Sequence, residues 1–111
     1  MKKEAKIKKE IKKLNNLYAS IPENKKELVQ GLIENAAFMK VTLEELQLKV
    51  NEEGTVITSK NGNGFDVTQE HPAQKSYNTM INRYTAVMSK LAELLPDTGY
   101  GTSKIEEFLS D

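Results

Sequence analysis

Seven lysines (Lys2, Lys3, Lys6, Lys8, Lys9, Lys12 and Lys13) crowd into the first 13 residues, opposed only by Glu4 and Glu10. Ammonium groups are compact point charges that suit phosphate oxygens. The chemistry this cluster offers is attachment to a polyanion. The whole chain is neutral, so the +5 of this segment leaves −5 on the remainder. Such asymmetry reads as a basic arm on an acidic body, or as a solvated helix face. Lys25 and Lys26 form a smaller basic pair further along.

Other reactive types are sparse. His71 is the only histidine, and there is no cysteine. Thiolate metal sites, disulfides and cysteine nucleophiles are therefore excluded. A histidine base needs an orienting carboxylate and a nucleophile nearby. His71 is followed by Pro72, and that pairing marks a helix start, with proline in the first turn and an extended residue before it. Glu44-Glu45 and Glu52-Glu53 are adjacent pairs, whose carboxylates point to different helix faces and form no dyad. Asn61-Gly62-Asn63-Gly64 could suggest a phosphate loop, but it is followed by Phe-Asp-Val and not by Lys-Ser/Thr. With no H-E-x-x-H and no G-x-S-x-G either, nothing points to an enzyme, and no metal or cofactor is expected.

The elements that must carry these residues are mainly helical. Ile7, Ile11, Leu14 and Tyr18 recur at helical steps, so residues 1–19 read as a basic amphipathic helix. Ser20-Ile21-Pro22-Glu23 reads as a capping box opening a second helix, which would bury Leu28, Leu32, Ile33, Ala36 and Met39. Gly31 within it allows either a close helix contact or plain tolerance. Thr42-Leu43-Glu44-Glu45 reads as another capping box, with Val41 and Leu46 as its staple. The expectation is a break at Val41-Thr42 and a helix-turn-helix-like pair over 21–54, closed by Gly54. Residues 55–71 read as a short β-hairpin or loop, since β-branched 55–59 and weaker 65–67 flank Asn-Gly pairs. The clearest helix is 72–95, with Tyr77, Met80, Ile81, Tyr84, Met88, Leu91 and Leu95 in one stripe widened by Val87 and Leu94. At about 36 Å it is long for so small a domain. Pro96 stops it. Residues 97–111 read as a glycine-bearing linker and a short helix capped at Ser103, with Ile105, Phe108 and Leu109 as its apolar side.

The order of these elements resembles the small terminase subunits of tailed bacteriophages. The residues that carry the resemblance are "LVQGLIENAAFM", "TLEELQLKVNEEGTV", a polar glycine loop, "EHP", and "AQKSYNTMINRYTAVMSKLAELL" ending at a proline. They span about residues 10–96. Gly54, His71-Pro72 and the spacing to the long helix are the most specific of them. The resemblance implies a DNA-packaging factor that forms rings, binds double-stranded viral DNA at the packaging site, and recruits the large subunit that holds the ATPase and nuclease. The small subunit is itself no catalyst.

The expected fold is a mainly α helical hairpin or bundle over residues 1–96, with a short β insertion at about 55–68. The expected DNA contacts are Lys2, Lys3, Lys6, Lys8, Lys9, Lys12, Lys13, Lys25 and Lys26. Tyr77, Met80, Tyr84, Met88 and Leu91 are expected to serve oligomerisation, and Ile105, Phe108 and Leu109 to dock the large subunit. Neither a membrane span nor a signal peptide is expected, which implies a cytoplasmic protein. The competing class is a helical adaptor or scaffold that ignores DNA, and a small hydrolase using His71 is the third.

Overall fold

A computed structural model describes residues 2–95. The elements run α1 (Lys3–Leu17), α2 (Glu23–Glu53), β1 (Val56–Lys60), β2 (Asp66–Glu70) and α3 (Pro72–Leu94). Among the described residues the chain is mainly α, with one antiparallel hairpin between α2 and α3, as the sequence implies.

Helix α1 runs antiparallel to α2. Lys3 meets Glu45 at 3.1 Å while Glu10, two turns later, meets Lys40 at 3.6 Å. Helix α3 is antiparallel to α2 as well. It begins with His71 beside Glu53, and near its end Leu91 meets Tyr18 of the α1–α2 turn. The three helices bury Leu14, Tyr18, Ile21, Val29, Ile33, Ala36, Leu43, Tyr84, Met88 and Leu91 as one cluster. Burying each of the Leu, Ile, Val and Met side chains among them contributes about 1.5–3 kcal/mol.

The helix-turn-helix-like pair is not formed. Helix α2 continues without a break for 31 residues, about 46 Å. Thr42 is helical, and its hydroxyl has no hydrogen-bond partner. The reason lies in the neighbours: Val41 and Leu43 are both buried, one against each flank of the stripe that α2 shows to its neighbours. Breaking the helix at Thr42 would gain one cap, about 1 kcal/mol. Keeping it intact buries two apolar side chains worth more than that together. No glycine or proline between Leu32 and Glu53 forces a stop.

The entry to α2 also differs from the capping box expected at Ser20. Its N-cap is Pro22, with no side-chain cap bond, and the helix starts at Glu23. Ile21 dives into the core instead, and the turn closes through Ile21 N–H to Tyr18 C=O and Lys25 N–H to Pro22 C=O. That anchor sets the rotation of α2, so Val29 faces inward and Leu28 stays 54% exposed. Leu32 and Met39 pack at the margin of the core. Gly31 has open space where a Cβ would stand, so plain tolerance is the correct reading there.

The hairpin turn is built on Asn61. Its carbonyl accepts from Gly64 N–H, and its side-chain oxygen accepts from Asn63 and Phe65 N–H. Gly64 takes φ +81°, as the glycine closing a type I turn with a bulge does. At the other end His71 N–H donates to Thr55 C=O, so the ribbon is clamped where it leaves the helices.

Among the described residues, no helix is long and apolar enough to cross a membrane.

Candidate functional site

The lysine cluster lies on α1, whose inward face is fixed by Leu14 with Ile7, Ile11 and Leu17 beside it. At 100° per residue, Lys2, Lys6, Lys9 and Lys13 then form one stripe, and Lys8 and Lys12 the next. Lys2, Lys8, Lys9, Lys12 and Lys13 are exposed and Lys6 is half-buried. Lys2, Lys6, Lys8, Lys9 and Lys12 make no ion pair among the described residues.

Of this face Glu10 meets only Lys13. It turns inward, only 14% exposed, toward Lys40 at 3.6 Å and Lys13 at 3.9 Å. The carboxylate counted against the lysines in the sequence is thereby shared between Lys13 on its own helix and Lys40 on α2. It sits near Tyr84, whose phenol is pushed up to about 12, chiefly by burial and then by the charges of Glu10 and Glu44. Glu4 is left as the one acidic group on the outer side of α1.

Lys3 departs from the set. It bridges to Glu45 and stands 4.7 Å from the centre of the Phe38 ring, a cation–π contact that ties α1 to α2. Lys26 pairs with Glu23 at 3.0 Å, while Lys25 is exposed. Both sit at the α2 end that adjoins the end of α1.

The other expected sites fall as follows. Tyr84, Met88 and Leu91 are buried inside one chain, so they have no surface to offer a second copy. Tyr77 and Met80 are half-buried. Ile105, Phe108 and Leu109 lie outside the described residues.

His71 is an architectural residue. Its Nδ1 accepts from Ala73 N–H at 2.9 Å, capping α3. Nδ1 must then be unprotonated, so Nε2 carries the hydrogen and donates to Glu53 Oε1 at 3.0 Å. The bond from His71, aided by Lys49, holds the Glu53 carboxyl below its ordinary range. Both ring nitrogens are engaged in joining α2 to α3, which is not the geometry of a free base.

Sequence reading missed a second cationic surface. Lys75 and Arg83 flank a shallow cleft on the outer side of α3 with Ser76, Thr79 and Met80. The spacing of i and i+8 on one helix face was the available signal.

Among the described residues, no group of three or more His, Cys, Asp or Glu could hold a metal ion.

No protein-family model matches this chain, and no curated protein or solved structure does so.

Proposed function

We propose that this protein is a non-catalytic DNA-packaging subunit of the small-terminase kind, which attaches to duplex DNA through the outer face of α1 and assembles from several copies. The observation that supports this reading best is the run of lysines at 2, 6, 8, 9 and 12, which have no acidic partner among the described residues while Glu10 is turned away. Four of these ammonium groups on the 15-residue α1, with Lys2 at its N-cap, extend about 15 Å from Lys2 to Lys12, commensurate with successive phosphates of one DNA strand.

The unbroken α2 shapes the mechanism. No second helix is re-aimed by a turn, so a groove-reading helix of the helix-turn-helix type is not part of the proposal. Contact runs through phosphates, which position a protein and carry no sequence information directly. Several copies together multiply a strip that is weak alone. Recruitment of the large subunit belongs to the same proposal and falls to residues 103–111.

The test uses Lys→Gln at 6, 8, 9, 12 and 13. Duplex binding at low salt should collapse while the thermal midpoint stays within a few degrees of wild type. Unaltered binding would favour the adaptor reading, in which these lysines only solvate the helix.

A further inference from the structure

The β-hairpin is the part of the molecule that the helices do not cover. Of its ten strand residues only Ile57 is even half-buried, and Phe65, at the turn, is 70% exposed. An isolated two-stranded ribbon is marginal in water at best. Both of its outer edges carry unpaired backbone groups, which are templates for another strand.

The ladder determines which groups are free. Asn61 N–H donates to Phe65 C=O and His71 N–H to Thr55 C=O, so positions 55, 57, 59 and 61 aim their backbone at β2. By alternation Val56, Thr58 and Lys60 aim theirs outward from β1, and Asp66, Thr68 and Glu70 do so from β2. The two edges differ in charge. Paired with its own copy about Thr68, β2 would set Asp66 against Glu70 twice, an unfavourable like-charge contact. Paired with its own copy about Thr58, β1 sets Lys60 against Val56 and Thr58 against Thr58, with no like charges opposed.

We infer that the β1 edge docks on the β1 edge of a second copy of this chain, antiparallel about a twofold axis at Thr58. The pairing forms about six backbone hydrogen bonds in a sheet ordered β2–β1–β1–β2. Directly opposed residues share a face, so Ile57, Ser59, Phe65 and Val67 of both ribbons lie on one face of the joined sheet, with Ile57 of each copy opposite Ser59 of the other. The outer edges of the joined sheet are then the two β2 strands, whose Asp66 and Glu70 block further growth by the same symmetric pairing. This contact does not depend on the DNA reading, and its test contains no DNA.

The chain has no cysteine, which makes cross-linking clean. Across the proposed axis the Thr58 Cα atoms stand about 5.5 Å apart, within the range a disulfide spans. Under mild oxidation T58C should become a covalent dimer and T68C should stay a single chain. A second variant guards against indirect effects. Thr58→Pro deletes an N–H that the intrachain ladder does not use, so it should weaken self-association by more than about tenfold with the hairpin retained. Thr58→Val, which loses only the hydroxyl contact with Thr68 at 3.3 Å, should associate as wild type does. No T58C dimer, equal cross-linking of T58C and T68C, or a mixed disulfide between T58C and T68C chains would each overturn the twofold pairing.

Discussion

The Tyr18 hydroxyl donates to the carbonyl of Leu91, 73 residues further along the chain. Leu91 lies in the last turn of α3, where a helix leaves its final carbonyls without partners. Leu95 N–H, the usual donor to that oxygen, bonds Ala92 C=O instead. A phenol from the α1–α2 turn thus caps the end of α3 within the core and fixes the far end of the bundle.

Tyr18→Phe should cost about 1–2 kcal/mol, because it strands a buried carbonyl while keeping the ring packing. Denaturant titration should show a lower midpoint with an unchanged slope.

Burial disfavours the charged form of both core tyrosines. The Tyr84 phenol lies near 12 and that of Tyr18 higher, against an ordinary 10.0. A group raised in the folded state stabilises fully below its unfolded value and loses that contribution as pH climbs through the folded one. Stability should therefore hold to about pH 10 and decline from there toward 12. Tyr84→Phe should make the alkaline limb shallower, as read from melting temperature against pH.

At the other end of the bundle the sign is reversed. Glu53 is lowered by His71 first and by Lys49 second, so its contribution is present above the ordinary carboxyl value of 4.5 and fades as pH falls through its lowered one. Glu53→Gln should flatten that part of the acid limb. His71→Ala should cost about 1 kcal/mol or more through the lost cap alone. His71→Asn, which can still cap α3 but cannot reach Glu53, should recover part of the loss.

Two glycines should respond in opposite directions. Gly31 is exposed, helical and unobstructed, so Gly31→Ala should stabilise by about 0.5–1 kcal/mol. Gly54 ends α2 at φ +86°, ψ 169°, a region open almost only to glycine. Gly54→Ala should destabilise by about 1–3 kcal/mol. Thermal melts of the two variants beside wild type check both.

Periodic apolar residues were enough to find α1 and α3, and the Asn-Gly cluster between β-branched runs was enough to find the hairpin. Local capping signals were less informative. Thr42-Leu43-Glu44-Glu45 has the letters of a cap, yet Val41 and Leu43 gain more by staying in register on one long helix. Ser20 was overridden in the same way by Ile21, which the core draws in. Both errors share a cause: a cap is worth about 1 kcal/mol, and tertiary burial around it decides whether the chain uses it. The lysine face was legible from the clustering of lysines around the apolar steps of Ile7, Ile11 and Leu14. That Glu10 would turn inward to Lys40, leaving that face nearly unopposed, depended on how α1 lies along α2, which spacing within one helix does not reveal.

In the proposed function the outer face of α1 holds DNA by its phosphates. The most direct measurement is duplex affinity against salt for wild type and for Lys8, Lys9 and Lys12 changed together to Gln. Phosphate contact predicts a steep fall of log K with log salt in the wild type, and a slope shallower by about 0.9 for each lysine that touched a phosphate. A wild-type protein whose duplex binding is absent at low salt, or whose slope is the same in both proteins, would contradict it.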